Sequence, residues 1–161
     1  MSDVDRRTME RITARDIMKS PVTTVSPTST LEEAATLMIT HSVDCLPVVD
    51  GDGKVVGVLT ETDYMPKASL RPMGGEHLYS VLGRMVSTDN LEKEYRSAAS
   101  REVRDAMSGV DVPTFEGTAS LSTIIEAMVH YKVHHVLILR NERLIGLVSS
   151  SDLMKLVSTK G

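Results

Sequence analysis

The sequence predicts an α+β fold made of two β-α-β-β-α copies related by a pseudo-twofold, with a helical insertion between them. Three observations lead there. GVLTETD (Gly57 to Asp63) returns as GLVSSSD (Gly146 to Asp152), 89 positions later. ARDIM (Ala14 to Met18) returns as VRDAM (Val103 to Met107) at the same separation. Between these anchors, LEEAATLM matches LSTIIEAM at a separation of 90, and HSVDCLPVVDGDGKVVG matches YKVHHVLILRNERLIG with one residue fewer in the turn. Four matches in one order, offset by single residues, are what loop variation on a common fold produces.

Each element has its own justification. Pro21 to Val25 is a short β-branched segment ended by Ser26-Pro27. Ser29 or Thr30 can cap a helix whose apolar residues Leu31, Ala34, Ala35 and Met38 follow helical spacing. Glu32 and Glu33 suit the positive end of its dipole. Cys45 to Val49 reads as a strand, Asp50-Gly51-Asp52-Gly53 as a tight turn, and Val55 to Leu59 as the returning strand. After Asp63 the chain can turn helical, as Asp152 to Val157 does in the second copy. The boundaries are residues 12–66 for the first repeat, 67–100 for the insertion and 101–159 for the second repeat. In the insertion, Leu78, Val81, Leu82, Met85 and Val86 lie at helical spacing, and Leu91 to Ala99 could continue or follow as a second helix. A copy under 60 residues buries too little surface to be comfortable alone, so the two sheets are expected to pack face to face.

Composition narrows the function classes. With 41% apolar and 25% charged residues in 161, the chain is globular. No apolar run approaches the ~20 residues of a membrane helix. The charged start MSDVDRRTMER has no apolar core, so a signal peptide is not expected. One cysteine, Cys45, allows no intrachain disulfide and suits a reducing cytoplasm. A net charge of −4 argues against nucleic-acid binding, and one Phe, four Tyr and no Trp argue against stacking platforms. His130 and His134 are four apart, but no carboxylate completes an HExxH arrangement, so no metal site is expected. No nucleophile-base-orienter set is present, so an enzyme is not expected either. The ten methionines read as adaptable packing.

ARDIM, VRDAM, CLPVVD, GVLTETD and GLVSSSD together resemble the cystathionine β-synthase (CBS) domain pair, or Bateman module, over roughly Thr13 to Ser158 apart from the insertion. The resemblance is to the small stand-alone bacterial or archaeal type. It implies two clefts between the repeats that take an adenosine compound as regulatory ligand: AMP, ADP or ATP first, or S-adenosylmethionine or NAD. It implies no required cofactor. By resemblance, Asp63 and Asp152 hold the ribose hydroxyls, a task suited to a carboxylate. Thr60, Thr62, Ser149 and Ser151 lie nearby as polar or phosphate contacts, and Val58 and Leu147 sit against the base. The backbone of Val43, Asp44 and Cys45, and of Val133, His134 and His135, reads the adenine edge. The second repeat departs from the family pattern at Leu137, where Pro is usual, and at Val112-Pro113-Thr114-Phe115. The cleft built on Thr60, Thr62 and Asp63 is therefore expected to be the better site.

Plainer readings stand beside these. Asp63 and Asp152 also stand where helices begin and can cap them. The module can equally be a structural homodimerisation unit with degenerate, unoccupied sites. The expected partners are a second copy of the chain, an adenine nucleotide and an unidentified protein target, with neither nucleic acid nor membrane among them.

Overall fold

The computed structural model describes residues 3–64, 96–97, 99–109 and 112–158. Its elements are α1 (Asp3–Arg11), α2 (Ala14–Ile17), α3 (Leu31–His41), β1 (Cys45–Val49) and β2 (Val55–Thr60), followed by a 3-10 turn at Glu61–Tyr64. A second 3-10 turn at Val103–Asp105 leads to β3 (Thr114–Glu116), α4 (Leu121–Tyr131), β4 (His135–Arg140), β5 (Arg143–Ser149) and α5 (Ser150–Ser158). The helix expected around Leu78 to Val86 falls outside the described residues. Of the one expected at Leu91 to Ala99, Arg96, Ser97 and Ala99 are described and are helical.

The long helices of the two copies begin and end alike. Thr30 caps α3: its hydroxyl accepts from Glu33 N–H at 3.1 Å while its own N–H donates to Glu33 Oε2 at 2.9 Å. Ser120 caps α4 by accepting from Thr123 N–H at 3.3 Å. Both helices stop on a left-handed residue, Ser42 (φ 52°) and Lys132 (φ 55°), 90 positions apart. The hairpins differ by the one residue that the sequences differ by. In the first, Asp50 Oδ1 accepts from the N–H groups of Asp52 and Lys54, both at 2.9 Å, and Gly53 takes φ 82°. In the second, Asn141 and Glu142 both take positive φ, the backbone of a two-residue primed turn.

The leading strand is where the copies part. In the second copy β3 runs parallel to β4, with Thr114 opposite Leu137 and Glu116 opposite Leu139. In the first copy Pro21 to Val25 is no strand; it is reduced to one bridge between Val25 and Val48. The cause is a single N–H. Leu137 donates to Pro113 O at 3.0 Å, while the equivalent position in β1 is Pro47, which has nothing to donate.

Residues on each strand alternate between two buried faces. Leu46, Val48 and Leu59 face one core with Leu31, Ala34 and Met38 of α3. Val136, Ile138 and Val148 face a second with Ile124 and Met128 of α4. The neighbours that point the other way, Cys45, Val58, Leu137 and Leu147, meet one another in a third core between the two sheets. That is the face-to-face packing expected of an unstable half joined to its twin.

Each copy also lends its head to the other. Ala14 of the ARDIM segment is buried in the second copy's core, with Ala14 N–H bonded to Ala119 O at 2.8 Å and Leu121 N–H to Ile12 O at 2.8 Å. Val103 and Ala106 of VRDAM are buried in the first copy's core, with Val103 N–H bonded to Ser29 O at 2.8 Å.

Candidate functional site

The duplicated motif first does something local. In S/T-x-x-D the aspartate stands three residues into a helical turn and reaches back to the residue that opens it. Asp63 Oδ2 accepts from Thr60 N–H at 2.8 Å and from Thr60 Oγ1 at 3.3 Å. Asp152 Oδ2 accepts from Ser149 N–H at 2.9 Å and from Ser149 Oγ at 2.8 Å. Ser149 Oγ in turn lies 3.4 Å from Asp152 N–H. Both aspartates are therefore caps in this structure, each through one oxygen.

The other oxygen of Asp152 faces two cations: Oδ1 lies 3.5 Å from Lys19 Nζ and 3.7 Å from Lys155 Nζ. Asp152 is only 7% exposed. Burial alone would raise its carboxyl, but the Ser149 N–H and hydroxyl and the two ammonium groups outweigh it and hold the group below its ordinary value of 3.8.

In front of this pair opens a cleft of about 540 Å³ between the copies. Its wall combines Val43, Asp44 and Cys45 of the first copy with Leu147, Ser149 and Ser151 of the second. The cleft is thus composite, taking its adenine-edge segment from one repeat and its hydroxyl residues from the other. The departures at Leu137 and Pro113 do not line it. Lys19, Thr23, Ile39, Glu61 and Tyr64 line it too, and none of them was singled out from the sequence. For Lys19 a signal did exist: it directly follows the repeated ARDIM segment, 89 positions before Ser108, which directly follows VRDAM, and the two copies differ there in charge.

The remaining candidates lie elsewhere. Thr60, Thr62 and Asp63 form the symmetry-related cap, Thr60 Oγ1 lying 2.8 Å from Thr62 Oγ1. Val58 is buried between the sheets. Val133 and exposed His134 precede β4. His135 opens β4 and crosses to the first copy, its Nε2 lying 3.0 Å from Asp44 Oδ1. Residues 110 and 111, which correspond to the cleft-lining stretch at Pro21 and Val22, fall outside the described residues, so this second constellation is described only in part. Cys45 is a buried thiol, pushed up to about 12 by burial and by the negative charges of Asp44 and Asp63. Among the described residues no group of three His, Cys, Asp or Glu is placed to hold a metal ion.

This geometry has relatives. Hypoxic response protein 1 of Mycobacterium tuberculosis is 29% identical over 143 residues, spanning 89% of this chain and 83% of its own. The CBS domain of a CBS domain containing membrane protein from Sphaerobacter thermophilus superimposes with a TM-score of 0.73 at 27% identity, covering 95% of this chain and 94% of that one. The CBS domain pair of protein MJ0100, solved in complex with 5′-methylthioadenosine and S-adenosyl-L-methionine, superimposes with a TM-score of 0.66 at 21% identity, covering 93% and 98%. The family model of the CBS domain matches residues 14–67 and again 103–159, more than half of the chain. The chain belongs to the CBS domain family, as a tandem pair of CBS domains.

Proposed function

We propose that this chain is a regulatory module, not a catalyst, that binds an adenosine-containing nucleotide in the cleft between its two repeats. One observation carries the reading: the strand-entry backbone of Val43 to Cys45 and the hydroxyls of Ser149 and Ser151 share one cleft, with the Asp152 carboxylate directly behind Lys19. In this reading Val43 to Cys45 take the adenine edge, Lys19, Ser149 and Ser151 the phosphate, and Asp152, next to the lining residues but not one of them, the ribose. The complex of MJ0100 with two adenosine compounds supports the ligand class. AMP, ADP and ATP come first, because the cleft wall carries a cation. Occupancy would act by binding one relative arrangement of the halves better than another. The proposed setting is cytoplasmic, in keeping with one buried thiol. Among the described residues no helix is long and apolar enough to cross a membrane.

A thermal-shift panel of AMP, ADP, ATP, adenosine, S-adenosylmethionine and NAD tests this. A ligand at about 100 times its dissociation constant adds roughly 2.7 kcal/mol. In a chain of this size that raises the melting midpoint by about 5–10 °C. No shift from any of the six at millimolar concentration would sink the reading.

A second reading, a homodimerising unit, rests on a different observation. Ile39 on α3 and Val129 on α4 occupy equivalent positions and are 80% and 73% exposed, with Tyr131 and Met154 also uncovered. Helices that leave such residues in water are candidates for burial against a second copy. Light scattering at micromolar concentration should give a dimer, and Ile39→Asp with Val129→Asp should give a monomer. A parent protein that is monomeric throughout the micromolar range removes this part.

A further inference from the structure

The two halves hold their head segments in the same way. Lys19 N–H donates to Leu147 O at 2.9 Å, and Leu147 N–H donates back to Lys19 O at 3.2 Å. In the other half Ser108 N–H donates to Val58 O at 3.0 Å, and Val58 N–H to Ser108 O at 3.2 Å. The backbone task is identical, so the fold asks nothing of the side chain at this station, and serine performs it in the other half.

What the lysine does instead is visible in the cleft. Its side chain is 46% exposed, Lys19 lines the cleft with Ser149 and Ser151, and its Nζ sits 3.5 Å from Asp152 Oδ1. The Asp152 carboxylate is thereby shared between its cap and Lys19, and a ribose that reaches for it must take the place of the ammonium. Lys155, 3.7 Å from the same oxygen, remains as counter-charge when Lys19 leaves. The other charged groups on the wall, Asp44 and Glu61, belong to the first repeat, and Asp44 is paired with His135. They disfavour an anion on their side and leave the Lys19 end as the place for one.

Resting on the nucleotide reading above, we infer that Lys19 determines which adenosine compounds this cleft accepts. It pairs with Asp152 until ribose hydroxyls displace it, then pairs with the ligand's phosphate. The cleft therefore selects phosphorylated adenosine compounds over neutral ones. The exchange trades one ion pair for another, so a neutral nucleoside, which can displace Lys19 but not receive it, binds at a disadvantage.

Titration calorimetry with AMP and adenosine on the parent chain, Lys19→Ser and Lys19→Arg tests the inference. Lys19→Ser installs the residue that the other half uses, so it should fold, and its melt checks that. The parent should prefer AMP to adenosine by at least about tenfold. Lys19→Ser should lose about 10- to 100-fold in AMP affinity, the range of a charge-assisted contact. It should bind adenosine as well as the parent or better, while Lys19→Arg keeps the preference for AMP. The AMP affinity of the parent, not that of Lys19→Ser, should fall as salt is raised. If AMP and adenosine bind the parent but Lys19→Ser leaves their ratio unchanged, this inference fails and the nucleotide reading stands. If neither compound binds the parent, this inference fails, and the nucleotide reading fails with it only if ADP, ATP, S-adenosylmethionine and NAD also leave the melt unmoved.

Discussion

Gly57→Ala should lower the melting temperature by about 5–10 °C, although alanine in a strand is ordinarily better than glycine by roughly 0.5–1 kcal/mol. The sign reverses because the VRDAM head crosses directly over β2. A Cβ at residue 57 would lie 2.5 Å from Ser108 O and 2.9 Å from Met107 Sδ. Ser108 O is the acceptor for Val58 N–H, so it cannot retreat without loosening the paired bonds that tie the head to the strand. Overpacking costs about 1–3 kcal/mol, and each weakened bond about 1 more. For Gly146→Ala the nearest atoms all belong to the Met18 side chain: Sδ, Cγ at 2.8 Å and Cβ at 2.9 Å. Met18 Sδ and Cγ can swing aside and its Cβ must yield only slightly, so this variant should lose less than Gly57→Ala, where a backbone oxygen is in the way. Adding Met18→Ala should recover the part due to Sδ and Cγ. Calorimetric melts of the three variants decide it. A Gly57→Ala protein that melts at or above the parent would show that the crossing is not tight. The motif begins with glycine because a strand that another chain segment crosses this closely has no room for a side chain.

That crossing was not legible in the sequence, and the reason is general. Helix α3, its cap and the first hairpin could be read because their signals are local, Thr30 before Leu31-Glu32-Glu33 and Asp50 to Gly53 between two apolar runs, and their counterparts in the second copy followed from the repeat. The pairing of Ala14 with Ala119, or of Val103 with Ser29, leaves no mark on local periodicity, so the exchange of heads between copies stayed hidden. The same holds for the cleft. Val43 to Cys45 and Ser149 with Ser151 were each legible as candidates, and the resemblance implied clefts between the repeats, but which segment of one copy faces which hydroxyls of the other leaves no local mark. The Asp44–His135 contact spans 91 positions and joins residues that are not repeat equivalents, so no internal comparison could suggest it. The loss of the leading strand in the first copy was the opposite case: Pro47 was in view, and its missing N–H was enough to predict it.

Asp152→Ala should lose both stability and nucleotide binding, and separating the two decides what the duplicated motif is for. The buried carboxylate accepts two hydrogens from Ser149 and faces two lysines, so its removal should cost about 1.5–3 kcal/mol, or roughly 3–10 °C. Asp63, less buried, should lose only about 1 kcal/mol as a cap. Asp152→Asn keeps an oxygen for the Ser149 bonds and removes the charge, which isolates the electrostatic part. A carboxyl held below its ordinary value contributes stability above that value, and the contribution disappears as pH falls through the folded value. The parent should therefore lose melting temperature more steeply than Asp152→Asn below about pH 4. Asp16, also held low by its bonds from Thr13, titrates in both proteins and cancels in the comparison. For binding, either substitution at 152 should remove most of the 5–10 °C nucleotide shift, because the ribose hydroxyls lose their charged acceptor. Should Asp152→Asn melt as the parent does at neutral pH and still show the full nucleotide shift, the aspartate is a helix cap alone, and the ribose role passes to a residue that lines the cleft.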